Sequence, residues 1–188
     1  MRRPESGRAT RRIWFERAFP VGMPLDAFPD VIERLRGTPL RLEERLRSTA
    51  PELRVLRVDG SWSAQENAGH LGDLESLWRT RLEELAAGRT ELSPADLENR
   101  RTEEAGHNER ELEGILREFR GAREATVGRL ESLDAETLRH TALHPRLGQP
   151  MTLVDLFYFV AEHDDHHLAR ITEIGTALAG GRARVGRP

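Results

Sequence analysis

Apolar side chains recur every three or four residues in four long stretches of the chain, and polar or Gly- and Pro-containing segments separate these stretches. This spacing is typical of amphipathic α-helices that bury one face. We expect a kink in the first helix, because Gly37 and Pro39 interrupt its pattern. The four predicted helices cover residues 28–46, 63–88, 112–133 and 152–178.

Two of these helices begin with capping signals. Ser63 precedes the second helix and Glu66 follows three residues later, as a capping box requires. Thr152 precedes the fourth helix in the same way, with Asp155 three residues on. Both signals therefore predict a helix start immediately before an apolar face.

Strand signals are nearly absent: only residues 53–58 alternate, and a loop explains that segment equally well. Four amphipathic helices predict an all-α protein, a four-helix bundle. The polar connection over residues 90–107 is long, so the topology need not be simply up-and-down. We expect one bundle domain over residues 13–179, with disordered basic tails at 1–12 and 180–188.

The chain of 188 residues contains no cysteine and no lysine, so its 29 basic side chains are all arginines. This composition excludes a protein thiol or amine nucleophile, cysteine-based metal sites and the lysine of a P-loop ATPase. The first twelve residues carry a net charge of +4 and the last nine carry +3, although the whole chain carries -3. The body between them is therefore acidic, which argues against nucleic-acid binding.

The chain has no apolar run close to the roughly 20 residues that span a bilayer. Its basic N-terminus also lacks the apolar segment of a signal peptide. We therefore expect a cytoplasmic protein without a membrane partner.

Three histidines occupy positions where the helical pattern predicts apolar core residues. At about 100° per residue, His163 and His167 continue the apolar stripe of the fourth helix, and His70 faces the core side of the second. A buried polar group without a partner costs about 1–3 kcal/mol, so something should bind these imidazoles. Two histidines at i and i+4 can converge on one ion, and a third makes a site with an open position. Imidazole suits zinc, nickel, copper or iron rather than magnesium or calcium.

The other four histidines do not lie at core positions of the helical pattern. His166 lies at the edge of the stripe, where it is either a neighbour of the site or a surface residue. His107, His140 and His144 lie outside the periodic cores and are expected at the surface. For the core histidines, a purely structural role is the alternative to metal binding.

Two segments resemble motifs of the DinB-like superfamily of small bacterial metal-binding four-helix proteins. They are SWSAQENAGHLGDLE at residues 61–75 and HPRLGQPMTLVDLFYFVAEHDDHHLARI at residues 144–171. The resemblance implies that His70, His163 and His167 bind the metal, which are the three residues that the helix geometry selects. It also implies an up-down-down-up bundle, which suits the long second connection, and commonly a homodimer.

The superfamily that the chain resembles includes bacillithiol S-transferases, mycothiol-dependent maleylpyruvate isomerases, metal-dependent hydrolases and stress-induced proteins. Residues 19–22, Phe-Pro-Val-Gly, are similar to an N-terminal motif of the bacillithiol-transferase branch, with Phe where Tyr is usual. The leading hypothesis is therefore an S-transferase in which a divalent metal, zinc or nickel, activates a bacillithiol- or mycothiol-like thiol. The alternatives are a hydrolase that activates water and a non-catalytic metal-binding protein of the stress response.

Two charged residues are candidates for supporting roles in that reaction. Glu66, one turn before His70, could accept a proton or orient a ligand imidazole, and Arg170 could hold the carboxylate of a small-molecule substrate. Because the chain has no thiol or amine of its own, we expect the nucleophile to come from outside. A di-iron carboxylate site, suggested by Glu104 and His107, is disfavoured because the sequence lacks the second Glu-x-x-His motif it requires.

Overall fold

The computed structural model describes residues 11–180 and 185–186. Within these ranges it contains six α-helices and two small antiparallel ladders. The helices are α1 (Phe28–Arg47), α2 (Pro51–Arg54), α3 (Ala64–Ala86), α4 (Arg100–Glu104), α5 (Leu112–Glu131) and α6 (Leu153–Ala179). Strand β1 (Arg57–Val58) pairs with β4 (Val185–Gly186), and β2 (Ala142–His144) pairs with β3 (Gln149–Met151). Of the predicted tails, residues 1–10, 181–184 and 187–188 lie outside the described residues.

The four long helices α1, α3, α5 and α6 pack side by side as the predicted four-helix bundle, and contacts between them give their directions. Helices α1 and α6 run parallel, because the contacts between them are Arg34–Glu162 and Arg45–Thr172. Helices α3 and α5 also run parallel, with the contacts Glu75–Arg123 and Glu83–Arg129. Helices α3 and α6 run antiparallel, with the contacts Asn67–His167 and Trp78–Phe159. The bundle is therefore up-down-down-up, as predicted.

Both predicted capping boxes are present. The Ser63 hydroxyl accepts a hydrogen bond from the Glu66 amide at 3.0 Å, and the Glu66 carboxylate accepts one from the Ser63 amide at 2.7 Å. Thr152 and Asp155 make the same reciprocal pair at the start of α6. These bonds satisfy amides that a helix start would otherwise leave without acceptors.

Pro39 lies inside α1, yet the helix continues from Phe28 to Arg47. A proline has no amide hydrogen, so the carbonyl of Leu35, four residues earlier, loses its helical donor. The guanidinium of Arg123 on α5 takes that place, with Nη1 lying 3.5 Å from the Leu35 oxygen. A side chain of a neighbouring helix thus compensates for the interruption that the sequence pattern shows.

A buried polar layer divides the bundle core into two apolar clusters. Every long helix contributes to it, and the residues are Thr38, Glu75, Arg123, Thr126 and Asp164. Arg123 binds Glu75 at 2.6 Å and Asp164 at 2.5 Å, and the Thr38 hydroxyl lies 2.9 Å from Asp164. Although burial lowers the pKa of Arg123, the charges of Asp164 and Glu75 outweigh it and raise that pKa, so the guanidinium stays charged.

Two small elements differ from the sequence expectations. The alternating segment at residues 53–58 ends the short helix α2 and then forms strand β1. The hairpin of β2 and β3, which the sequence did not indicate, turns through Gly148 at a φ of +62°, a conformation that favours glycine. None of the described helices combines the length and the apolar character needed to cross a membrane.

Candidate metal centre

Helices α3 and α6 bring together the three histidines that the helical pattern placed on their core faces. One ring nitrogen from each of His70, His163 and His167 lies within 4.8 Å of the others. All three residues are buried, with relative exposures of 4, 5 and 8%. The antiparallel arrangement of the two helices makes this possible, because it sets the start of α3 beside the middle of α6.

The orientation of the His167 ring is determined by Asn67, one turn before His70 on α3. The amide nitrogen of Asn67 donates to the carbonyl of Ser63 at 2.7 Å, so its amide oxygen faces His167. That oxygen lies 2.8 Å from Nδ1 of His167 and accepts its proton. Nε2 of His167 therefore points its lone pair into the cluster.

A chain of hydrogen bonds holds His70 in the same way. The Thr102 hydroxyl donates to Asp73 at 2.9 Å, which leaves its oxygen free to accept from Nδ1 of His70 at 3.0 Å. Asp73 also accepts from Nε2 of His107 at 2.8 Å. Burial alone would raise the pKa of Asp73, but the hydrogen bonds from His107 and Thr102 outweigh it and lower that pKa. The carboxylate is therefore charged, and Nε2 of His70 carries the lone pair.

His163 has a different environment. Its Nδ1 is buried without a hydrogen-bond partner among the described residues, while its Nε2 lies 3.2 Å from Nε2 of His167. The indoles of Trp14 and Trp78 meet its ring edge-on, with centroid distances of 5.1 and 5.8 Å. These walls hold the ring by packing rather than by hydrogen bonding.

The three imidazoles are neutral and fit a transition-metal ion. Burial lowers the pKa of His70 to about 4 and those of His163 and His167 well below their ordinary value. Nitrogen ligands of a tetrahedral zinc ion stand about 3.3 Å apart, given bonds of about 2.0–2.1 Å. The 3.2 Å separation between His163 and His167 agrees with that spacing. Three neutral nitrogen donors suit a divalent transition-metal ion.

Among the described residues, neither of the two charged side chains expected near the metal is hydrogen-bonded to a ligand imidazole. Glu66 completes the capping box with Ser63 and pairs with Arg57 at 2.5 Å. The imidazoles that it was expected to orient are held instead by Thr102 and Asn67, because the carboxylate is used at the helix start. Arg170 lies in a neighbouring cleft beside His167 and Trp62 and contacts Glu173 at 3.4 Å.

The three histidines line a cavity of about 340 Å³, called the histidine cavity below. All three tryptophans of the chain line it: Trp14, Trp62 and Trp78. Phe159, His144, His166 and two arginines, Arg81 and Arg146, complete much of the wall. A volume of this size is at the lower end of what small-molecule sites need.

Two surface predictions for histidines were wrong. His107 and His144 are each only 2% exposed. His107 lies in the long connection, and His144 lies in the hairpin that the sequence did not indicate. Helical periodicity carries no information on burial in either segment. His166, placed at the edge of the stripe, is half-buried in the cavity wall, and His140 is half-buried against the carbonyl of Leu85.

The Phe-Pro-Val-Gly segment at residues 19–22 fastens the N-terminal loop to the start of α6. Gly22 has a φ of +71°, and its amide and that of Met23 donate to the Asp155 carboxylate at 3.0 and 2.8 Å. Phe19 packs against Phe159, with ring centroids 4.7 Å apart. The segment therefore supports the wall of the histidine cavity from outside.

Sequence reasoning missed several residues around the site. Asn67 and Asp73 carried a usable signal, because they lie three residues before and after His70 on the same helix. Thr102 and Arg146 carried none, since Thr102 lies on the short helix α4 in the long connection and Arg146 in a hairpin turn, and the fold alone places both segments.

Comparisons with known proteins agree with this architecture. The family model described as the DinB superfamily matches residues 34–171. A solved structure of YfiT from Bacillus subtilis, described as a probable metal-dependent hydrolase with an unusual four-helix bundle topology, superposes with a TM-score of 0.77. It shares 19% identity, and the match covers 87% of this chain and 94% of YfiT. No curated protein matches the sequence significantly.

Proposed function

This chain belongs to the DinB superfamily, and from that premise we propose that it is a metal-dependent enzyme acting on a small molecule in the histidine cavity. The observation that supports this most directly is the cluster of three buried, neutral imidazoles at the wall of an aromatic cavity. His70, His163 and His167 would hold a divalent cation, zinc or nickel. When bound, such a cation supplies Lewis acidity that lowers the pKa of a thiol or a water molecule.

The cavity's own groups favour a thiol as the nucleophile. Among the described residues, Asp96 contributes the only carboxylate to the lining, and its oxygens bind Arg100 and the amide of Glu98. A thiol has a pKa of about 8.5 and water one of about 15.7, so a thiol depends far less on a protein base. We therefore favour transfer of a low-molecular-weight thiol, bacillithiol- or mycothiol-like, to a small electrophile.

The aromatic walls of the cavity favour a particular kind of substrate. Trp14, Trp78 and Phe159 present flat apolar surfaces beside His163. Such surfaces bind planar groups by stacking and exclude water from the reacting atoms. This environment suits an electrophile with a flat apolar body.

A metal-dependent hydrolase is the second candidate. The observation in its favour is the fold that the chain shares with YfiT, which is described as a probable metal-dependent hydrolase. In hydrolysis, the half-buried imidazole of His166 in the cavity wall would be the candidate base once it is released from Arg11, whose Nη1 lies 2.7 Å from its Nε2.

The test is a panel of thiols with a chromogenic electrophile. Purified protein loaded with zinc or nickel is mixed with 1-chloro-2,4-dinitrobenzene and, in turn, glutathione, cysteine, bacillithiol or mycothiol. We expect conjugation that depends on one thiol, is abolished by a chelator and is lost in His163→Gln. His140→Gln removes an imidazole outside the cavity lining and serves as the matched control.

The other outcomes separate the candidates. Chelator-sensitive ester hydrolysis without any thiol dependence would establish the hydrolase instead of the transferase. Tight metal binding with neither reaction would contradict an enzymatic role and favour a metal-binding protein of the stress response.

We also propose a homodimer, on the basis of family membership. Light scattering on the full chain should then give twice the chain mass of 21.4 kDa. A mass equal to one chain at micromolar concentration would contradict the dimer without bearing on the metal site.

A further inference from the structure

Two arginines line the histidine cavity without pairing to a carboxylate. Arg81 is only 1% exposed; its Nε donates to the carbonyl of Ser93 at 2.9 Å, and its Nη1 lies 3.1 Å from Nε2 of His144. Glu84, the acidic residue that acts on Arg81 electrostatically, uses its oxygens on the amide and hydroxyl of Ser93. Arg81 thus keeps donor capacity that no described carboxylate takes up.

Arg146 is the second of these arginines and lies in the turn between β2 and β3. Its Nη2 is buried without a hydrogen-bond partner among the described residues. Its guanidinium faces the rings of Trp14, Phe15 and Phe159 at centroid distances of 5.9, 5.3 and 5.6 Å. Burial lowers the pKa of Arg146 and that of Arg81, the latter to about 10. Guanidinium groups keep their proton in proteins, so both side chains are cationic at neutral pH.

Arg81 and Arg123 are both almost fully buried, but their partners differ. The other deeply buried guanidinium, that of Arg123, binds the carboxylates of both Glu75 and Asp164. A desolvated charge without a partner is costly, and proteins commonly keep one where a ligand supplies the opposite charge. Two such cations at one cavity therefore point to an anion from outside the chain.

The aromatic walls connect these arginines to the three histidines. Trp78 is near both His163 and Arg81, with its ring 5.8 Å from the imidazole and 5.5 Å from the guanidinium. Trp14 is likewise near both His163 and Arg146, at 5.1 and 5.9 Å. A ligand that reaches both ends of the cavity must therefore lie along flat aromatic surfaces.

We propose that the histidine cavity selects a small organic anion with a flat apolar body, whose carboxylate or phosphate is held by Arg81 and Arg146 while its other end reaches His163. This inference rests on the proposed function, because it names the substrate class of the same site. The cavity volume of about 340 Å³ fits a molecule of about one ring with its substituents.

Tryptophan fluorescence tests the proposal directly, since all three tryptophans line the cavity. The probes are benzoate, phenyl phosphate and the neutral benzamide, each titrated into the full-length protein with zinc and again with a chelator. We expect at least one anion to bind about tenfold more tightly than benzamide, because charge-assisted hydrogen bonds are the stronger ones. The comparison of benzoate with phenyl phosphate identifies the preferred anionic group.

Variants then assign the effect to the arginines. Arg146→Gln should weaken binding of the preferred anion about tenfold and leave benzamide unchanged. Arg139→Gln removes an exposed guanidinium outside the cavity and should change neither affinity. Arg81→Gln should act like Arg146→Gln, and thermal unfolding shows whether it folds; if it does not, Arg146→Gln alone decides.

Two results would overturn the proposal: equal affinities for the anions and benzamide, or an Arg146→Gln variant that weakens all three probes alike. Neither depends on turnover, and the titrations with chelator need no metal. An anion preference in a protein that shows no metal-dependent reaction would therefore leave this inference standing while contradicting the proposed function.

Discussion

The imidazole of His107 lies directly against the Cα of Gly69, so closely that a Cβ at this position would fall 2.3 Å from Cγ and Nδ1 of the ring. Real side chains do not approach so closely, which means that glycine is required here for contact and not for backbone conformation. From this position His107 binds Asp73, which in turn holds Thr102 against His70. Because Gly69 has no side chain, His107 of the long connection can pack against α3 and support the candidate metal centre.

Replacing Gly69 with alanine should displace His107 and weaken metal binding. Loss of such supporting hydrogen bonds typically costs about 10–100-fold in metal affinity. Competition with a chromophoric chelator measures the change. Gly72→Ala is the matched control on the same helix, because its new Cβ would meet Phe119 at an ordinary 3.8 Å. If the two variants lost affinity equally, the contact between Gly69 and His107 would have no role in the site.

Thr102→Val tests the next link in the same chain of hydrogen bonds. Valine keeps the shape of threonine but offers no hydroxyl, so the proton on Nδ1 of His70 loses its acceptor. We expect metal affinity to fall about 10–100-fold with little change in fold. Thr80→Val, at an exposed position of α3, is the control. Because Gly69 and Thr102 act through one chain, their effects should combine to less than the sum; full additivity would argue for separate causes.

Residues on the long helices were predictable because periodicity reports burial there. His70, His163 and His167 stood at core positions, and the structure brings them together. Arg123 carried the same signal, four residues after Phe119 in the apolar stripe, and shows that a core position can hold a paired charge. Arg146 could not be predicted, since a hairpin turn places it and no helical pattern extends to that turn.

Arg123 should be among the most sensitive positions for stability. Arg123→Met leaves Glu75 and Asp164 buried without their counter-charge, and breaking a buried ion pair on one side costs about 3–5 kcal/mol. Urea unfolding followed by circular dichroism measures the loss. Arg129, like Arg123, lies on α5, and Arg129→Met breaks a surface pair with Glu83 of α3, so this variant should change stability little. A similar loss in both variants would show that the polar layer contributes no more than a surface pair.

Stability of the metal-free protein should fall as the pH is lowered through the histidine range. Burial, reinforced by the charges of Arg81 and Arg146, lowers the pKa of His144 to about 4. In the unfolded chain its pKa is about 6.5. Above about pH 6.5 the residue is neutral in both states and has no effect on the pH dependence. Between about 6.5 and 4 the unfolded chain takes up the proton and the folded chain does not, so lowering the pH favours unfolding.

His144→Gln isolates this contribution, because glutamine can still accept from Arg81 and does not titrate. The slope of unfolding free energy against pH between about 6 and 4.5 should decrease by up to about 1.4 kcal/mol per pH unit, the value for one proton. Urea unfolding in the presence of a chelator at several pH values gives the slope for each of the two proteins. The difference between their unfolding free energies above pH 7 is the cost of the substitution that does not depend on titration. Parallel curves for the two proteins over the whole range would mean that His144 binds its proton equally well in the folded state. The buried contact with Arg81 argues against that outcome, because a protonated imidazole would place a second cation 3.1 Å from the guanidinium.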